Sequence, residues 1–327
     1  MAVPHDAGLT PAPHPAVSQV RAAVRRFLAT HDTGDTVAVA CSGGADSLAL
    51  AAATVHCAAA LGLAVHGLVV DHQLQPDSAV VSQAAAQALR RLGATAVRVL
   101  RTTVDGPGGP EATARRARYA ALRDAAPAGA LVLLGHTLDD QAETVLLGLG
   151  RGSGPRSVAG MRELDPPWGR PLLGVRRAVT AAACAALDLA PWADPHNADP
   201  RFQRVRLRTE VLPLLEDVLA GGVARALART AEQLREDLDV LDGQAGGLLA
   251  QARRGADLDV AALGRAPAAL RRRVLRRWLL DAGVAELTDA HLRAADDLIG
   301  RWSGQGALRL PGAFELVRAQ GRLHVSG

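Results

Sequence analysis

At 327 residues the chain is long enough for two domains with separate cores. Its 49% apolar content excludes general disorder, and no apolar run reaches membrane-spanning length without a charge, so a cytoplasmic protein is expected. A formal charge of +4 suggests a polyanionic partner only mildly, and Cys41, Cys57 and Cys184 lack the spacing of a zinc site or disulfide framework.

Residues 1–16 are rich in Pro, Ala and His and read as a flexible leader without the apolar core of a secretory signal. Residues 17–30 show helical spacing, with Val20, Val24, Phe27 and Leu28 on one face. A first strand at 37–41 is followed by a helix at 48–61. A second strand at 64–70 ends in Asp71-His72-Gln73-Leu74-Gln75-Pro76. Then come a helix at 78–92, a strand at 96–100, a Gly/Pro loop at 105–110 and a basic helix at 111–125. A fourth strand at 131–135 leads into a helix at 138–149. This alternation predicts βαβ units and a parallel sheet, with ligands beyond the carboxyl ends of its strands. From about residue 218 the pattern turns helical, over 217–255, 266–282 and 289–302. Short strands at 306–310, 314–318 and 322–325 close the chain. The expected organisation is a leader (1–16), an α/β domain (17–217) and a mostly helical domain (218–327).

The first strand breaks into Ser42-Gly43-Gly44-Ala45-Asp46-Ser47 and a helix follows at once. Glycines allow a tight turn, and the helix start offers free N–H groups and a positive dipole end, so the loop suits an anion. Asp46 would repel a bare phosphate unless a cation such as Mg²⁺ lay between them. A Walker A loop is excluded, because the chain contains no lysine. The SGGxDS pattern is instead similar to the PP-loop pyrophosphatase superfamily, whose members split ATP between the α and β phosphates and adenylate a substrate.

His136-Thr137-Leu138-Asp139-Asp140-Gln141-Ala142-Glu143-Thr144 follows the fourth strand. Asp139 and Glu143 share a helix face with Asp140 alongside; the acids read as helix-start charges or, beside a triphosphate, as an Mg²⁺-directed set. Glu111-Ala112-Thr113-Ala114-Arg115-Arg116-Ala117-Arg118-Tyr119 opens the basic helix, with Arg115 and Arg118 on one side. These arginines read equally as a solvated face or a phosphate clamp. Arg151-Gly152-Ser153-Gly154 ends the acidic helix. Further on, Arg201, Arg204, Arg206 and Arg208 surround Phe202, as either a solvated segment or a contact to ATP or an RNA backbone.

In this order the segments resemble the tRNA(Ile)-lysidine synthetase family, whose pattern runs SGGxDS, EAxARxxRY, HxxDDQxET and RGSG, then a basic segment and Leu-Pro-Leu-Leu (212–215 here). The resemblance implies an adenine nucleotide alpha hydrolase-like parallel-sheet domain plus a mostly helical tRNA-binding domain. It also implies a two-step ligase reaction: ATP adenylates C2 of the wobble cytidine in the CAU-anticodon isoleucine tRNA, then free L-lysine attacks and expels AMP. By resemblance Ser42, Gly43, Gly44, Asp46, Ser47 and His136 hold ATP, Asp46 and Asp139 direct Mg²⁺, and Arg115 and Arg118 join them in catalysis. Asp140, Glu143, Arg204 and Arg208 would bind substrate. Many members carry Asn where this chain has Val205, so any role of that amide is not expected here. The chain also ends before a further C-terminal domain of longer members, and acceptor-end recognition is expected to be reduced or different. A thiolase of the same superfamily is disfavoured by the absence of a cysteine pair, and the intact loop argues against a non-catalytic binding module. In the terminal part, Arg271, Arg272, Arg273, Arg276 and Arg277 form a basic run that reads as a tRNA grip or a solvated face.

Overall fold

The computed structural model describes residues 12–73, 77–103, 110–152 and 154–327. Most of the expected leader, Leu74 to Pro76, nearly all of the Gly/Pro loop and Ser153 lie outside the described residues, as does the side chain of Glu111. The chain divides into two compact units. One runs to Leu147 and resumes over Gly160–Arg229; the other comprises Gly148–Ala159 and Thr230–Gly327.

The first unit is an α/β sandwich. Helix α1 (Pro15–Thr30) leads to β1 (Thr36–Ala40), α2 (Ala45–Leu61), β2 (Ala64–Asp71), α3 (Ser78–Leu92), β3 (Ala96–Arg101) and α4 (Pro110–Ala125). After β4 (Leu131–Leu133) comes α5 (Leu138–Arg151), whose last turn, with the short α6 (Pro155–Val158), is counted in the other unit; then follow β5 (Leu164–Asp165), β6 (Trp168–Gly169) and α7 (Arg177–Ala186). The sheet order is β3-β2-β1-β4-β6-β5. Every pairing is parallel except the β5–β6 hairpin, a small antiparallel edge that the sequence alternation did not announce. Strand alternation sorts the core: Val37, Val39, Val65, Val69, Leu131 and Leu133 face α1, α2, α3 and α7, while Ala38, Leu68, Val132 and Leu134 face Leu122 and Ala125 of α4. Burial on both faces accounts for the continuous apolar runs of these strands.

The expected 217–255 helix is two. Helix α8 (Gln203–Arg206), a π-helical turn and α9 (Leu212–Val218) precede α10 (Val223–Ala252). The break falls at Ala220, Gly221 and Gly222, whose φ values of 58°, 89° and 79° no right-handed helix can hold. In the second unit, β7 (Arg253–Arg254), β8 (Asp257–Asp259), α11 (Val260–Gly264), α12 (Ala268–Asp281), α13 (Asp289–Gly300), β9 (Leu308–Arg309), β10 (Glu315–Ala319) and β11 (Arg322–Ser326) follow. Its antiparallel sheet, ordered β7-β8-β11-β10-β9, thus draws two strands from a stretch whose sequence gave no strand signal. Trp278 is fully buried at its core, and its indole N–H finds the Ala256 carbonyl at 2.9 Å.

Candidate active site

The carboxyl ends of β1 and β4 meet over the Ser42–Ser47 loop. Gly43 sits at φ +84°, a left-handed turn that favours glycine, and its carbonyl accepts from the Trp192 N–H at 3.0 Å. The Ser47 hydroxyl donates to the Gly44 carbonyl at 2.9 Å and accepts from the Ser42 N–H at 3.2 Å, closing the loop on itself. Gly44 is the N-cap of α2 without a side-chain cap, so the first-turn N–H groups remain available to an anion. Gly135, after β4, presses on this loop: a Cβ there would lie 3.1 Å from the backbone carbon and oxygen of Asp46.

Asp46 opens α2 and meets the α5 acids through a residue the sequence motifs did not single out. Arg177, at the start of α7, places Nε 3.3 Å from Asp46 Oδ2, Nη2 2.6 Å from Asp140 Oδ1 and Nη1 3.3 Å from Glu143 Oε1. Its backbone N–H donates to Asp139 Oδ2 at 2.7 Å. Thr180, one turn on, donates its hydroxyl toward Asp46 Oδ1. Burial pushes the Asp46 carboxyl above the usual range, Thr180 and Arg177 oppose that, and Asp140 adds to it. Burial would also raise Asp140, but Arg177 and the Thr137 N–H and hydroxyl, both at 2.8 Å, outweigh it and hold the carboxyl low. Part of Asp140 is therefore spent on the first turn of α5. Asp139 is also met by Arg176 Nη2 at 3.0 Å.

The paired arginines of α4 contrast with this. Arg115 and Arg118 form no ion pair with any described carboxylate. Instead their guanidinium carbons lie 4.8 Å and 5.6 Å from the centre of the Tyr119 ring, which itself packs edge-on against Trp168. Burial lowers the Arg118 pKa, with repulsion from Arg115 and Arg204 in the same direction and Tyr119 opposed. Arg118 also acts on two imidazoles, those of His72 and His136, each with a buried, unpartnered Nδ1. Burial, with help from Arg118, Arg170 and Arg115, takes His136 down to about 3 against the pull of Asp140, so the imidazole is neutral at physiological pH. Cations with no described acidic partner, beside unfilled polar atoms, suit an anionic, hydrogen-bonding ligand.

The later arginines divide by direction. Arg201 and Arg206 turn to their neighbours Asp199 and Glu210. Arg208 reaches the buried Glu143, with Nε 2.9 Å from Oε1, and Arg204 Nη1 lies 4.0 Å from Oε2. Val205, between them, is buried and apolar. A cavity of about 240 Å³ opens here, walled by Asp139, Glu143, Glu216, Arg176, Arg177 and Arg208 over an apolar floor of Leu212, Pro213 and Ala224. Asp46, Asp139, Asp140, Glu143, Arg204 and Arg208 are thus linked by ion pairs and hydrogen bonds, while Arg115, Arg118 and His136 form an adjoining group joined to it through Asp140 and Arg204. Among the described residues no three His, Cys, Asp or Glu side chains are arranged to hold a metal alone. Asp46 and Asp139 are hard oxygen donors sharing one arginine, and they fit Mg²⁺ that brings phosphate oxygens and waters as its other ligands.

A nucleotide loop at a sheet's carboxyl edge, with its own acid, defines the PP-loop class, and a PP-loop domain model matches residues 17–215. A TilS substrate binding domain model matches residues 258–324. The chain belongs to the tRNA(Ile)-lysidine synthase family. It is 58% identical to the tRNA(Ile)-lysidine synthase of Rhodococcus jostii, covering 95% of this chain and 96% of that one. Identity is 59% to that of Nocardia farcinica (93% and 95% covered) and 55% to that of Mycobacterium tuberculosis (90% of each). Among solved structures, the U34-tRNA thiolase NcsA from Methanococcus maripaludis has the same fold, with a TM-score of 0.55 at 18% identity over 68% of this chain and 80% of that one.

Proposed function

We propose that this chain makes lysidine in two steps at the C2 position of the wobble cytidine of the CAU-anticodon isoleucine tRNA. In the first, the C2 carbonyl oxygen attacks the α-phosphorus of ATP, an O–P bond forms and pyrophosphate leaves. In the second, the ε-amine of free L-lysine, having lost a proton, attacks C2; the C–N bond forms and AMP departs with the oxygen. The observation that carries this reading is the near full-length match to relatives of that name, on a chain whose nucleotide loop carries its own acid, Asp46, tied through Arg177 to the acids of α5.

The loop N–H groups with Ser42 and Ser47 bind the phosphates, and Gly43 and Gly44 let the backbone approach them. Asp46 and Asp139 would hold Mg²⁺, which supplies charge neutralisation at the phosphates. Arg115 and Arg118 engage the α-phosphate or the adenylated base, where no described acid competes for the guanidinium fork. His136, neutral, offers its free ring nitrogen to the nucleotide. In the adjoining cavity the apolar floor suits the lysine methylenes. Glu143 with Asp140 behind it orients the ammonium, and Arg204 and Arg208 take the carboxylate. Residues 17–217 act as the catalytic part and 218–327 as the tRNA-binding part of a cytoplasmic enzyme. No described helix is long and apolar enough to cross a membrane.

A thiolase reading draws little support from the cysteines: Cys41, Cys57 and Cys184 are buried, and burial pushes each thiol up, Cys184 to about 11. The test separates the two steps. Pyrophosphate release should require the tRNA, and AMP release should require lysine as well. AMP released at the same rate without lysine would contradict the reading.

A further inference from the structure

Four carboxylates from two elements crowd together among several arginines, and one guanidinium, that of Arg177, is shared among three of them. Arg177 spends Nε on Asp46, Nη2 on Asp140 and Nη1 on Glu143, and adds its backbone N–H to Asp139. This differs from a surface arginine pairing with one acid in a two-pronged fork, since each edge of the plane meets a different carboxylate. Its four anionic neighbours outweigh the cost of burial and raise its pKa, so the charge is held throughout the working range.

The guanidinium is also fixed in place. Its helix α7 packs into the main core through Ala183 and Cys184, and the Cys184 thiol donates to the carbonyl of Ala45, the residue before Asp46. Thr180 from the same turn holds the other oxygen of Asp46. Both oxygens of the loop acid are therefore engaged by the first turn of α7, the oxygens a nucleotide-bound metal would need.

We propose that Arg177 is a positioning residue that fills the cation seat of this acidic cluster in the nucleotide-free protein, and that it gives up Asp46 when Mg²⁺ arrives with ATP. The inference rests on the reading of Asp46 as a metal-directed acid. In this arrangement the protein supplies a cation of its own to the cluster, and the metal gains the seat only with the phosphates that complete its ligand shell.

Two measurements test it. In the unmodified protein, NMR of the arginine Nε–H groups should show the Arg177 signal shifting, with faster hydrogen exchange, on addition of Mg²⁺ with a non-hydrolysable α,β-methylene ATP. Mg²⁺ alone at the same concentration should leave it in place. Calorimetry of Arg177→Met should then reveal Mg²⁺ binding without nucleotide, roughly tenfold or more tighter than in the parent, as expected when a unit charge within a few ångströms is removed. Arg177→Lys keeps the charge and should not gain that binding; a merely structural arginine would give both variants the same behaviour. If Mg²⁺ and the analogue bind while the Arg177 signal is unchanged, or if Arg177→Met binds Mg²⁺ no better than the parent, the proposal is overturned. If the parent binds no Mg²⁺ with the analogue at all, the failure is that of the metal-directed reading of Asp46.

Discussion

His136 and Arg118 stand side by side with opposite needs. The imidazole is held neutral, its pKa taken from 6.5 to about 3, chiefly by burial. A folded value below the unfolded one means that the unfolded chain binds the proton first. The stability tied to neutral His136 is thus fully present above pH 6.5 and is lost as pH falls toward 3. His136→Asn should flatten that acid-side loss in urea titrations run between pH 7 and 4, and an unchanged slope would contradict the assignment. Arg118 carries its charge in a half-buried place with no acid paired to it among the described residues, so the fold gains little from it. Arg118→Met should leave the melting temperature unchanged or higher while cutting tRNA-dependent pyrophosphate release by about 10²-fold, the scale of one lost transition-state contact. Asp46→Ala and Asp139→Ala should abolish turnover with far-UV circular dichroism unchanged. Most of these residues were legible because motif and strand end coincide in the sequence. Arg177 was not: it lies 34 positions beyond Glu143, outside every motif, and only the packing of α7 on α2 brings it to the acids.

Among the elements, the loop after β1 and the end of β4 are fitted to each other at backbone distance. Gly135 faces Asp46 so closely that even a methyl group must displace the loop. Gly135→Ala should weaken ATP binding about tenfold with a modest loss of stability, read by nucleotide titration; unchanged affinity would show that the loop tolerates the shift. The alternation of strands and helices made the parallel sheet readable, because strands buried on both faces are apolar throughout. The β5–β6 edge and the strands β7 and β8 escaped notice because each is only two or three residues long, too short for any period to register. The break between α9 and α10 was written in Gly221-Gly222, yet the flanking helical spacing masks it.

Across the whole molecule, the basic run of the second unit separates into arginines that pair with a described acid and arginines that do not. Arg271 holds the buried Asp296 with Nε at 2.7 Å, and Arg273 meets Asp242 at 3.1 Å. Arg272, Arg276 and Arg277 form no ion pair with a described carboxylate. Arg271→Met should therefore cost about 2 kcal/mol of stability in denaturant titrations, from an acid left without its partner. Replacing Arg272, Arg276 and Arg277 by Gln should instead weaken tRNA binding, lowering the log–log salt slope by roughly two, and leave ATP binding intact. Equal tRNA affinity at every salt concentration would mean that this face does not touch the RNA. The proposed lysidine-forming activity has one direct readout. The protein is incubated with ATP, Mg²⁺, ¹⁵N-lysine and the CAU-anticodon isoleucine tRNA, and the wobble nucleoside is recovered by digestion and weighed by mass spectrometry. A labelled lysidine that requires ATP and is absent from the methionine tRNA with the same anticodon is expected, whereas an unmodified cytidine in the isoleucine tRNA would contradict the proposed activity.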